Sequence, residues 1–247
     1  LIKIYMQLTD KQKGIALSLI GVLVITPDSL LIRLISMPSW ELLFYRGLIP
    51  FVFLFILLLL YYKKNFLHSL LITGLPGLFY AILIALGNTT FVISIQNTNV
   101  ANTLIMIALT PFATAILSSI FLKEHPSQRM WFTIISCFFV VLFIFYDSYQ
   151  GNRMLGDFFG LLTAILIGGS AVVVRYSKLV NFLPSLLIAK LLTLVIPILF
   201  IQSFPESLII DLREFYLIIA MGICLFIALS FITLAPRYIP AYEVEIF

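Results

Sequence analysis

Apolar runs of helix length follow one another along the whole chain, with short polar breaks between them. They are read as membrane spans at 13–32, 40–62, 69–93, 98–122, 130–146, 156–174, 184–201 and 215–234, with a ninth beginning at 240. Each of these runs is about the 20 residues that a helix needs to cross the hydrocarbon core. Breakers fall between them: Met37-Pro38-Ser39, Gln96 to Asn99, Glu124-His125-Pro126 and Gln150-Gly151-Asn152. Positions 51–60 are apolar without interruption, where a strand of a membrane barrel would alternate. The pattern therefore predicts an all-α polytopic membrane protein.

The pattern is written twice. Spans open near Gly14 and again near Gly156, and Arg33 and Arg175 stand at the same spacing from those glycines. Arg46 lies inside the second span and Lys190 at a comparable place inside the seventh. The stretch 91–101 is echoed in outline by 231–241. Residues 1–150 then form one repeat of five helices, and residues 151–247 form a second, incomplete one. Five is odd, so the two copies cross the membrane in opposite directions. Inverted repeats of this kind are an architecture of alternating-access transporters.

Composition fixes the solvent. Hydrophobic residues make up 62% and charged residues 11% of the chain, against roughly 25% charged in a soluble domain. With a mean hydropathy of +1.15, the surface has to face lipid. Basic residues are one-sided. Lys3, Lys11, Lys13, Lys63, Lys64, Lys123, Arg129, Arg175, Lys178 and Arg237 fall in loops of one side, and Arg33, Arg153 and Arg213 in loops of the other. The positive-inside rule places the N-terminus in the cytoplasm, and the expected location is the cell membrane. The basic residues stand singly, so the pI near 9.1 is no sign of nucleic-acid binding. Cys137 and Cys224 lie in separate apolar runs and read as buried, inert thiols. His68 and His125 read as ordinary interface residues.

Several stretches resemble the drug/metabolite transporter superfamily, in particular its EamA-type members with ten helices in two inverted five-helix repeats. They are Ile25-Thr26-Pro27-Asp28-Ser29-Leu30-Leu31-Ile32-Arg33, then Tyr45-Arg46-Gly47, then Ala108-Leu109-Thr110-Pro111-Phe112 with Phe121-Leu122-Lys123-Glu124. Tyr238-Ile239-Pro240-Ala241-Tyr242-Glu243-Val244 looks like the opening of the ninth helix of that family. The resemblance implies a secondary transporter of small metabolites, amino acids or drugs, by efflux or exchange. Against that pattern the chain reads as truncated at the start of helix 9. Its alternative reading is a structural membrane protein or an inactive remnant of such a transporter.

Ionisable groups inside spans cost about 2.5–3.5 kcal/mol each on insertion scales, so they face protein or water. Asp28 and Arg46 reach similar depth on neighbouring antiparallel spans, which predicts a pair at the outer mouth of a cavity. The bland reading has Arg46 reaching to the headgroups and Asp28 meeting a water. Lys190 and Glu243 are the matching inner pair, or else Lys190 snorkels. Asn88, Thr89, Asn102 and Thr103 serve interhelical hydrogen bonds or ligand contacts. Pro111 removes a donor within the fourth span, giving a kink that lines a cavity or one satisfied by a neighbouring helix. Gly168-Gly169 read as close helix packing. Nothing in the sequence carries catalysis: there is no metal spacing, no phosphate-cradling loop and no cofactor motif. Protons are the coupling ion that protonation of Asp28 or Glu243 would use, and a homodimer is an assembly open to the chain.

Overall fold

A computed structural model of the chain describes residues 9–124, 128–151, 153–177, 180–201, 211–235 and 238. The described residues form helices and no strand. They are α1 (Asp10–Ile25), α2 (Asp28–Leu34), α3 (Ser39–Tyr62), a 3-10 turn (Lys63–Asn65), α4 (Phe66–Leu71) and α5 (Gly74–Asn97). Then follow α6 (Val100–Ile107), α7 (Thr110–Phe121), α8 (Gln128–Gln150), α9 (Met154–Tyr176), α10 (Leu183–Ile198) and α11 (Leu212–Leu234). Six helical segments among the described residues are long and apolar enough to cross a membrane, and α10 is a shorter apolar helix.

Local chemistry sets the ends. Thr9 caps α1 through a reciprocal box with Gln12. Gly74 has φ +58°, a left-handed conformation that separates α4 from α5 and that glycine adopts without a Cβ penalty. Two expected spans stand as single crossings with a break inside each, and a third begins later than expected. The span 13–32 is broken at Thr26-Pro27, because Pro27 has no N–H to continue the ladder. The span 98–122 is broken at Ala108-Leu109, which puts Pro111 in the first turn of α7 rather than in mid-helix. The span that was to begin at 69 begins at Gly74.

The pairs α5 with α9 and α3 with α10 pack antiparallel, whereas α7 runs parallel to α9. On α5 and α9, Thr98 faces Gly156, Ser94 faces Gly160 and Gly87 faces Ile167. On α3 and α10, Trp40 stacks on Phe200 with ring centroids 4.3 Å apart, Gly47 meets the backbone of Leu194, and Asn181 donates to the Tyr62 hydroxyl at 2.8 Å. Gly21 of α1 meets Ala228 and Ile232 of α11. Gly168 lies against Thr114 Oγ1, so a Cβ there would sit 2.6 Å from it; the glycine allows α9 and α7 to close.

The distribution of polarity is that of a lipid-facing bundle. Leu23, Leu60, Phe79, Phe132 and Leu155 point outward. Inside, Leu42, Leu43, Ile95, Ile218 and Met221 form one apolar cluster, and Leu54, Leu58, Tyr80, Phe182 and Leu186 form another. Buried hydroxyls bond back to their own helices, as Thr89 does to Ala85, Thr114 to Thr110 and Thr193 to Ala189. Lipid offers these groups no alternative partner.

Candidate functional site

The break at Thr26-Pro27 makes Asp28 the first residue of α2, where the helix dipole favours a negative charge. Arg46, two turns into α3, reaches it across the hairpin. Arg46 Nη1 donates to both carboxylate oxygens, at 2.7 Å and 2.9 Å. The two side chains are only 2% and 5% exposed, so the pair is buried. Phe91 lies against the guanidinium, 5.1 Å from its carbon to the ring centroid, and Met221 Sδ stands 3.8 Å from Nη1. This is a cation–π contact in an environment where it is worth more than at a surface.

Both members of the pair line a cavity of about 540 Å³, within the size range of small-molecule sites. Its walls come from α1, α2, α3, α5, α6, α7, α9 and α11. They are largely apolar, with Ile84, Phe91, Leu104, Ile107 and Leu225 among them. Polar groups are few: the ion pair, Thr26, Ser29, Asn88, Thr110, Ser170 and the bonded hydroxyls of Tyr80 and Thr233, 2.6 Å apart.

The other candidates fall at different places. Asn88 is on the cavity wall, where Nδ2 donates to the Ile84 carbonyl at 2.8 Å. Pro111 also lines the cavity, and the Ile107 carbonyl that it cannot bond accepts the Thr110 hydroxyl at 2.5 Å. Thr103 is fully buried and shares a hydrogen bond with Ser94 at 2.9 Å, between α6 and α5. Asn102 is half-buried on α6. Glu243 lies outside the described residues.

Lys190 does not snorkel. It is fully buried, and the register of α10 against α3 explains why. Leu194 faces Gly47 and Asn181 faces Tyr62, so Lys190 stands near the level of Phe51, midway along α3. Even a long side chain cannot reach headgroups from there. Its Nζ is 3.5 Å from Asn88 Oδ1, and it lies within electrostatic range of Arg46 and Asp28.

A second buried acid was missed by the sequence reading. Asp157, in the first turn of α9, is fully buried; its Oδ1 accepts from Thr98 Oγ1 at 2.7 Å and its Oδ2 has no hydrogen-bond partner among the described residues. The cost of an ionisable group within a span, which singled out Asp28, would have singled it out too. Arg33 bonds the carbonyls of Ile95 and Thr98 at 3.0 Å and 3.1 Å, closing the C-terminus of α5 beside it. At the same end Ser39 bonds Gln96, and Glu214 accepts from the Ser36 amide at 3.1 Å. At the opposite end Arg175 meets Glu124 at 3.0 Å. Thr98→Val removes the neutral partner of a buried carboxylate and is expected to cost about 1.5–3 kcal/mol. Equilibrium unfolding in mixed micelles measures it, with Thr89→Val, whose hydroxyl bonds only its own helix, as the smaller comparison.

Comparison with known proteins bears on the first half of the bundle. A sequence model of the EamA-like transporter family matches residues 12–146, from α1 to near the end of α8. No curated protein and no solved structure gives a match. The matched stretch is more than half of the chain and contains the Asp28–Arg46 pair, Asn88 and Pro111. The chain is a multi-pass membrane protein that belongs to the EamA-like transporter family.

Proposed function

We propose that the protein is a secondary active transporter of small organic solutes, working by alternating access as an exporter or exchanger. The observation that carries this reading is the cavity: a largely apolar chamber within a membrane bundle, with a buried ion pair on its wall and polar ties at both ends. Residues 1–150 and 151–247 are its two inverted repeats. The packing supports this division, because exchanging the halves maps the contact of α5 with α9 onto that of α11 with α1, and α3 with α10 onto itself. Solute would bind between the halves, and rocking of one against the other would expose it to each side in turn. The N-terminus is cytoplasmic by the loop charges. Protons are the coupling ion, with Asp28 the acid able to exchange one when its pair with Arg46 opens.

Purified protein in proteoliposomes tests this reading by counterflow. Labelled solutes in three sets, organic acids, amino acids and amines, are offered to vesicles loaded with the same solute. At least one set is expected to enter several-fold faster than into protein-free vesicles, and entry of none above that background would end the transport reading. An imposed pH gradient is expected to change the level reached, and indifference to it would remove the proton.

A further inference from the structure

Two charged side chains pair on the cavity wall, and a third, Lys190, lies against Asn88 of that wall within electrostatic range of both. Asp28 has both carboxylate oxygens occupied by Arg46. Arg46 Nε is buried with no hydrogen-bond partner among the described residues. Lys190 is fully buried and within electrostatic range of both, and among the described residues its hydrogen-bond acceptor is Asn88 Oδ1, at 3.5 Å. That distance is beyond the usual range of an N–H···O bond. A buried ammonium is costly without a counter-charge, and in a membrane such a group pairs or marks a ligand path. With Lys190 protonated, the state that a bound counter-charge would favour, the cluster holds two cations and one anion, with donors to spare on Arg46 Nε and Lys190 Nζ.

We infer that this corner of the cavity receives the anionic head of a small amphiphilic monocarboxylate, whose apolar body lies against Ile84, Phe91, Leu104, Ile107 and Leu225. One negative charge balances the cluster; two would overshoot it. An amine or an amino acid would bring a further ammonium to a cluster in which Arg46 and Lys190 already outnumber Asp28. Asn88 holds the geometry, since its amide nitrogen is tied to Ile84 and its oxygen is turned to Lys190. This substrate class deepens the transport reading above and rests on its cavity being the solute site.

Four probes with one apolar body separate the possibilities: 4-methylpentanoate, its amide, isopentylamine and leucine. Binding to the purified full chain is measured by calorimetry and by thermal shift. The carboxylate is expected to bind about tenfold more tightly than the amide, which corresponds to about 1.4 kcal/mol, with the amine and leucine weaker still. Lys190→Gln should bring the carboxylate to the level of the amide, and Lys190→Arg, which keeps the positive charge, should keep a preference for the carboxylate over the amide. Equal binding of carboxylate and amide, no binding of the carboxylate, or an unchanged preference in Lys190→Gln overturns the inference. So does a carboxylate preference that arises only in Glu243→Gln, because Glu243 would then be the native counter-charge of Lys190. Counterflow with the same probes keeps the two readings apart. Movement of the amide or amine but not the carboxylate would overturn the anion site and leave transport standing. Carboxylate binding that depends on Lys190, with no probe crossing, would uphold the site and overturn transport.

Discussion

Asp28→Leu, with Arg46 left in place, is expected to lose about 3–5 kcal/mol of stability and all solute movement, the cost of leaving one member of a buried pair without its partner. The geometry argues for the upper part of that range. Arg46 Nη1 spends its bonds on both oxygens of Asp28, and Nε already has no partner among the described residues. What remains against the guanidinium is the Phe91 ring and Met221, with the Lys190 amine within electrostatic range and offering no acceptor charge. Arg46→Leu alone strands a carboxylate in the same place and should cost a comparable amount. Asp28→Leu combined with Arg46→Leu should be far milder, within about 2 kcal/mol of the parent, because apolar replacements remove both desolvation penalties together. The interaction between the two sites is the excess of the summed single effects over the double. Equilibrium unfolding of the four proteins in mixed micelles measures it. Additive single effects would mean that the two charges stand on their own, and the pair would lose its place in the mechanism. Reversal of both charges should recover only part of the stability, since an arginine at position 28 would face the positive end of α2.

That pair was legible in the sequence because both residues sit on one hairpin, at matched depth from the turn near Pro38. Lys190 was not. Its surroundings depend on the register of α10 against α3, which the close meeting of Gly47 with Leu194 decides, and no periodicity in either helix contains that register. The breaks within spans were written but under-read. The dipeptide Thr-Pro stands at both, as Thr26-Pro27 and Thr110-Pro111. At each, the threonine hydroxyl turns back on the preceding turn, to Val22 at 2.8 Å and to Ile107 at 2.5 Å. A continuous apolar run conceals such a break from hydropathy, although a proline preceded by a hydroxyl that can serve the exposed backbone is the condition under which lipid tolerates one. Both breaks open onto the cavity, through Thr26 and Asp28 in one case and Thr110 and Pro111 in the other. Asp157 stands at the start of a span, where sequence alone does not distinguish a buried acid from a solvated one. The packing of Gly156 against Thr98 carries it inside, again a contact between the two halves of the chain. Elements and neighbours along the chain could thus be read from the sequence, while contacts across the halves could not.

Gly47→Ala should be the most damaging single methyl in the bundle. A Cβ at this position would lie 2.6 Å from Leu194 Cα and closer still to its amide nitrogen. Backbone atoms in the middle of a helix have no rotamer to retreat into, so α3 and α10 must move apart. That separation would unseat Trp40 from Phe200 at one end and Tyr62 from Asn181 at the other, and would shift Lys190 away from Asn88. The cost is expected at or above the top of the roughly 1–3 kcal/mol usual for overpacking. Gly21→Ala supplies the contrast. Its Cβ would meet Ile232 Cγ1 at 2.6 Å, a side-chain atom, with the nearest backbone atom, the Ala228 carbonyl oxygen, at 3.1 Å. Ile232→Ala should therefore rescue most of the loss from Gly21→Ala, whereas Leu194→Ala should rescue none of the loss from Gly47→Ala, because the atoms in the way remain in alanine. Thermal unfolding in detergent, followed by tryptophan fluorescence, reads the parent, the four single variants and the two doubles. Rescue of Gly47→Ala by Leu194→Ala would show the side chain to be the obstacle and α3 and α10 to be farther apart than their backbones indicate. Failure of that rescue, with success at Gly21, would identify the meeting of α3 and α10 as the fixed contact around which the rest of the bundle, and the charge cluster it carries, is arranged.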